Sequence, residues 1–137
     1  MDYRIDLDPA HRVIRLTVTA VVTEELAEAC YQSLWFITSR GGPYAAIFDL
    51  SGVTGTTLSP DAVRGLAGRA PAVPAGRARV IVADEPWIFG MARMFQICRD
   101  SLGEQFHVVR SLEEAYEMVG VRPEDFTQRI FPKGLAA

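Results

Sequence analysis

Polar and apolar residues alternate in "DYRIDLD" (2–8) and again in "RVIRLTVTAVV" (12–22), with a turn at "DPAH" between them. The pattern predicts two antiparallel strands forming a hairpin. Thr23 then caps a helix whose apolar positions Leu26, Cys30, Leu34 and Ile37, with Ser33 beside them, recur at three and four. Glu24 and Glu25 stand in its first turn, and Gly41-Gly42 end it. "YAAIFDL" (44–50) reads as a buried strand. Ser59-Pro60-Asp61 supplies N-cap, N1 and first-turn acid for a second helix, whose narrow face of Ala62, Val63, Leu66 and Ala70 suits close packing on a sheet.

"RARVIVAD" (77–84) is another strand, and Asp84 or Glu85 with Pro86 opens a helix running to about Ser101. "FHVVR" (106–110) is a strand, and Ser111 to Glu114 form a capping box for the last helix. The order ββαβαβαβα defines an α/β fold with a mixed, mainly parallel sheet flanked by helices. The crossovers are expected to be right-handed, and the opening hairpin to supply an antiparallel edge. "APAVPAG" (70–76) is a linker loop. Residues 1–120 are expected to form the domain, and 121–137 a tail that packs on the domain or on a partner.

Charge narrows the partners. With 17 acidic against 14 Lys and Arg residues, the 137-residue chain has a formal charge of -3. Neither nucleic acid nor an acidic membrane surface is suggested. No apolar run approaches the roughly 18 residues of a membrane span, and Met1-Asp2-Tyr3-Arg4 leads into a strand pattern unlike a signal peptide, so a cytoplasmic location is expected. Cys30 and Cys98 fall on inward helix faces as small hydrophobes, without a disulfide or metal.

Catalytic signatures are absent. His11 and His107 show neither metal-ligand spacing nor an adjacent carboxylate pattern. There is no G-x-S-x-G, and "GVTGTT" lacks the Lys-Ser/Thr ending of a phosphate-binding loop. Asp49, at a strand end, reads as the cap of the following turn. No cofactor is indicated, and the expected class is non-enzymatic.

The helical wheels raise further questions. On the first helix, Tyr31 and Trp35 lie opposite the core stripe, and their cover is expected from a second copy of the chain or from the tail, which carries Phe126, Ile130 and Phe131. In "PWIFGMARMFQIC", the residues Trp87, Ile88, Met91, Met94, Phe95 and Cys98 share a core-type face, from which Phe89 and Ile97 stray. Phe89, Met91, Met94 and Ile97 are therefore candidates to line an apolar ligand pocket or a dimer seam. Arg64, Arg69, Arg77 and Arg79 suggest a local basic patch that could meet an acidic surface or an anion.

Several stretches resemble the STAS or SpoIIAA-like domains. "RLTVTAVVTEELAEA" (15–29) is similar to that family's second strand, turn and first helix, with Ala20 where a glycine is common. "FDLSGVTGTTLS" (48–59) resembles its D-L-S-x-V strand and switch loop, and "RVIVADEPWIFGMARMFQICRD" (79–100) and "FHVVRSLEEAYEMV" (106–119) its later strand-helix pairs. The resemblance implies a regulatory protein-binding module like the anti-sigma factor antagonists. Its anti-sigma or kinase-like partner would meet Thr54, Thr56, Thr57, Ser59, Asp61 and Arg64. It also implies a phosphoacceptor at Ser59, although the family's D-S-S-G falls on Thr57, Leu58, Ser59 and Pro60. The alternative function is a carrier or sensor of a lipid or other small apolar molecule, since some SpoIIAA-like proteins resemble lipid-carrier domains.

Overall fold

A computed structural model of the chain describes residues 2–100 and 105–130. Strands β1 (Tyr3–Asp8) and β2 (Val13–Val22) form the expected hairpin. They are followed by α1 (Glu24–Thr38), β3 (Ala45–Thr56), α2 (Pro60–Ala67), β4 (Arg79–Val82), α3 (Pro86–Asp100), β5 (His107–Val109) and α4 (Leu112–Val119). A single 3-10 turn, Pro123–Asp125, then leads to β6 (Gln128–Ile130). Side-chain caps fix three helix starts: Thr23, Ser59 and Ser111 accept hydrogen bonds from the backbone N–H of Leu26, Ala62 and Glu114 at 3.1, 3.0 and 3.2 Å. Each satisfies one of the donors that a helix leaves without an internal partner.

The six strands form one mixed, mostly parallel sheet in the order β5-β4-β3-β2-β1-β6, with parallel pairing from β2 to β5 and antiparallel pairing of β1 with both neighbours. From β2 to β5 the order in the sheet follows the order in the chain. Right-handed crossovers that advance in one direction must put every connecting helix on the same face. Two separate cores reflect this. On one face Ile14, Leu16, Val18, Ala46 and Ile81 meet Cys30 and Leu34 of α1 and Ile88 and Ala92 of α3. On the other, Val13, Ala45, Ile47, Val80, Val82 and Val109 meet Ala115 of α4 and Val121.

The hairpin does not end the sheet. β6 adds antiparallel to β1, with Ile5, Asp6 and Leu7 opposite Ile130, Arg129 and Gln128, so part of the expected irregular tail is the edge strand. Among the described residues the tail turns elsewhere than to Trp35: Phe126 packs on Tyr116 of α4, its ring 6.0 Å away, and under the Arg15 guanidinium at 4.5 Å. Phe131 lies outside the described residues. β6 is too short to hold by ladder bonds alone. Asp6, 4% exposed, ties it down by accepting from Arg129 on β6 at 3.2 Å, Arg15 on β2 at 3.3 Å and Arg4 at 2.9 Å. Arg15 in turn donates to the Tyr116 hydroxyl at 2.8 Å.

β3 also departs from expectation. Its pairing with β2 continues past Leu50 to Thr56, because two register shifts, opposite Thr17–Thr19 and Ala20–Val21, each take up one extra residue of β3 and let Gly52 and Gly55 stay in the ladder. Gly52 sits so close to β2 that a Cβ there would lie 3.1 Å from Thr19 Cγ2 and 3.3 Å from the Val18 carbonyl. Ala20 takes φ +65°, a left-handed conformation that favours glycine. The position where the resemblance implies glycine is therefore one where the backbone asks for it.

Two stability measurements follow. Ala20→Gly removes the clash of a Cβ at positive φ and should stabilise the fold by about 1 kcal/mol in urea titration. Asp6→Asn should cost about 2 kcal/mol, since three guanidinium groups lose a carboxylate. Burial acts to raise the Asp6 pKa, but hydrogen bonds from Arg129, Arg15 and Arg4 outweigh it and hold the carboxyl below its ordinary value. A depressed folded pKa adds stability above the unfolded value of about 3.9, and that stability is lost as pH falls through the lower folded value. The gap between wild type and Asp6→Asn should therefore narrow below pH 4.

Candidate functional site

α2 packs closely on α3, whereas α1 stands off from both. Between α1 and the α2–α3 pair, over the sheet, lies a cavity of about 280 Å³. Its floor is Leu16, Val18, Phe48, Leu50, Val53 and Ile81 of β2, β3 and β4. α1 contributes Leu26, Ala27, Cys30, Tyr31 and Leu34, α2 contributes Val63 and Leu66, and α3 contributes Trp87, Ile88, Met91, Ala92, Phe95 and Arg99. One end is formed by Val22, Thr56, Leu58 and Trp87, at the carboxyl ends of the strands. The other is formed by the loop after α2, Arg69 to Val73, with Phe106. An α/β sheet gathers its binding groups at the first of these ends.

Polar contacts bridge the space between α1 and the loop after α2. The Tyr31 hydroxyl donates to the Ala70 carbonyl, Thr38 donates to the Ala72 carbonyl, and Arg69 pairs with Glu28 while lying 3.8 Å over the Tyr31 ring. Residues 70–76 are thus a pinned loop rather than a free linker, with Val73 2% exposed. Tyr31 is covered by this loop and stacks on Trp35 at 6.4 Å and 8°. For Tyr31 the chain's own middle thus supplies a cover, and Trp35 is 46% exposed.

Of the four residues expected to line an apolar pocket, only Met91 does so. The inward face of α3 is rotated from the expected one: its buried residues are Ile88, Ala92 and Arg99. Arg99 is drawn inward because it donates to the carbonyls of Ala67 and Arg69 at 2.6 and 2.7 Å, where α2 ends and its last carbonyls lack helical partners. Phe89 packs under Arg110 at 4.0 Å, Met94 lies off the cavity, and Ile97 is 60% exposed. The lining from β2, β3 and α2 was visible in the sequence only as core, because strand alternation identifies a buried face without showing that helices fail to fill it.

The expected basic patch does not form. Arg64 pairs with Asp61 at the surface, Arg69 with Glu28, and Arg77 donates to the Arg12 and Pro43 carbonyls. Arg79, 1% exposed, donates to the carbonyls of Val73 and Gln105 and lies 4.2 Å from the centre of the Phe106 ring. Those four residues share a stretch of sequence but serve four different sites.

The strand-to-helix segment is shorter than the sequence suggests, since Thr54 and Thr56 belong to β3. Thr56 donates to the Val22 carbonyl at 2.8 Å and lines the cavity, while Thr54, Thr57, Ser59, Asp61 and Arg64 are exposed. Asp49 accepts from the backbone N–H and hydroxyl of Ser51 at 3.0 and 2.6 Å, the turn-capping role expected of it.

His11 does have carboxylates beside it. Its backbone and ring bond Asp8 at 3.0 and 2.7 Å, and Asp125 brings a ligand-type oxygen within 4.8 Å of both. Asp8 lies only three residues before His11, but Asp125 arrives through the fold. Asp8 closes the hairpin turn through His11, and Asp125 closes the 3-10 turn by accepting from the Arg122 N–H at 2.9 Å. Each carboxylate thus serves its own turn, and the fold sets the two turns side by side.

Among the described residues no helix is long and apolar enough to cross a membrane. No protein-family model matches the chain, and no curated protein does.

Cys30 gives a local measurement. It lies on the cavity wall, and burial pushes its thiol up to about 12. In a Cys98→Ser chain at pH 8, reaction of Cys30 with a disulfide reagent should be at least a hundredfold slower in the native protein than in urea, because thiolate is the reacting form. A rate within tenfold of the unfolded value would show that the cavity wall is open to solvent at Cys30.

Proposed function

We propose that this protein is a non-enzymatic binding module that carries or senses a small apolar molecule in the cavity between α1, α2, α3 and the sheet. The observation that carries the reading is the cavity itself. Natural cores are close-packed, with few voids larger than a water molecule. The space of about 280 Å³ is partly open to solvent, and it leaves its apolar lining without close-packed neighbours on that side. A bound apolar molecule recovers the missing contacts.

The residues on the wall support binding over chemistry. Apart from the Cys30 thiol and the Tyr31 hydroxyl, the lining side chains among the described residues are apolar except Thr56, Arg69 and Arg99, with no carboxylate or histidine. General acid–base work needs such groups at the reacting atoms. The ββαβαβαβα order and the lipid-carrier likeness of some SpoIIAA-like proteins support placing the protein near that group.

A second reading, an antagonist-like partner surface, rests on the exposed run of Thr57, Ser59, Asp61 and Arg64 beside Thr54. There Ser59 would be the phosphoacceptor and a kinase-like or anti-sigma protein the partner. This surface adjoins the cavity at Thr56 and Leu58, so one protein can carry both. A partner recognising this face should be lost from pull-downs by Arg64→Glu. Capture unaffected by that change and by Ser59→Ala would remove the second reading.

The cavity reading predicts a small molecule in native mass spectra of gently purified protein, and saturable binding of the neutral ten-carbon dye 1-aminonaphthalene. Ala27→Phe, which places a ring in the cavity from α1, should weaken dye binding at least tenfold while leaving the fold intact by circular dichroism. Absence of co-purified molecules, together with no dye binding and no ligand-dependent rise in melting temperature, would overturn the proposal.

A further inference from the structure

Resting on the apolar-ligand reading, we infer that the ligand is neutral, a largely hydrocarbon molecule of roughly ten to twelve carbon atoms, and that the cavity discriminates against fatty-acid anions of the same length. An apolar cavity of about 150 Å³ accepts one benzene molecule. About 280 Å³ is nearly twice that volume and accommodates a medium-length chain or a compact bicyclic hydrocarbon.

The neutrality follows from what the cations on the wall already do. Arg69 is paired with Glu28, and its guanidinium plane covers Tyr31. Arg99, 3% exposed, donates to the carbonyls that end α2. The remaining polar groups are committed in the same way: Thr56 to Val22 and Tyr31 to Ala70. The Cys30 thiol is held neutral by burial. A carboxylate at this end would have to displace Glu28 from Arg69 to find a cation, exchanging one half-exposed ion pair for another against the charge of Glu28. A hydroxyl avoids that exchange. Trp87, at the strand-carboxyl end, is 40% exposed, so a single uncharged head group placed there keeps contact with water.

The Glu28–Arg69 pair is thus the selectivity device, and Glu28 is a positioning residue that acts through Arg69. A Trp35→Phe chain leaves Trp87 as the single tryptophan and a fluorescent reporter on the cavity wall. Titrated below micelle-forming concentrations at pH 7.5, 1-decanol should shift Trp87 emission to the blue and saturate, binding at least tenfold more tightly than decanoate. Isothermal titration of the unmodified protein should give the same ratio, which guards against an effect of the tryptophan change.

Glu28→Gln, which releases Arg69 from its carboxylate, should improve decanoate binding at least fivefold and leave decanol within twofold. A structural role for Glu28 alone would weaken both ligands together, and that result would overturn its assignment. Decanoate bound as tightly as decanol by the unmodified protein would overturn the inference of a neutral ligand while the apolar-ligand reading stands. Binding of neither would remove both.

Discussion

Three crossovers advancing in one direction across a parallel sheet oblige α1, α2 and α3 to share a face. The two outer helices have 15 residues each, and the one between them has eight. α2 settles against α3, and α1, set apart from the pair, is tied to the loop after α2 by Tyr31, Thr38 and the Glu28–Arg69 pair. This stand-off is the constraint behind the rest. It leaves space over Leu16, Val18, Phe48 and Val53 that a helix of α2's length does not fill, and it sets cations at one end already engaged.

The opposite face has a simpler solution. Among the described residues α4 covers it together with Val121 and Phe126, and the chain then returns to add β6 beside β1, where Asp6 collects Arg4, Arg15 and Arg129. The two faces thus divide the work. One is closed by compact apolar packing and an ionic clasp, and the other contains the space that the proposed function uses. Asp8 and His11 of the hairpin turn lie beside Asp125 in the segment that precedes β6.

Local signals made much of the fold legible. Thr23, Ser59 and Ser111 announce helix starts through side chains that act within three residues, and alternation marks β1 and β2 without reference to anything distant. Three features were hidden because they depend on partners far along the chain. Gln128–Ile130 is too short to show alternation and becomes a strand only because β1 offers an open edge. Arg99 and Arg79 look like surface residues by type, yet both are buried against backbone carbonyls. The cavity could not be foreseen from α3, whose apolar excess pointed to Phe89, Met94 and Ile97, because it results from the spacing of three helices.

The central claim is that the space between α1 and the α2–α3 pair is a real, apolar and accessible site. The most direct measurement is a crystal structure of the protein under xenon pressure, since xenon occupies dry apolar cavities without needing a hydrogen bond. The account predicts xenon density among Leu34, Phe48, Val63 and Phe95, or a bound molecule already occupying that position. Density for neither, with α1 moved inward until Tyr31 and Leu34 pack on Val63 and Leu66, would contradict it.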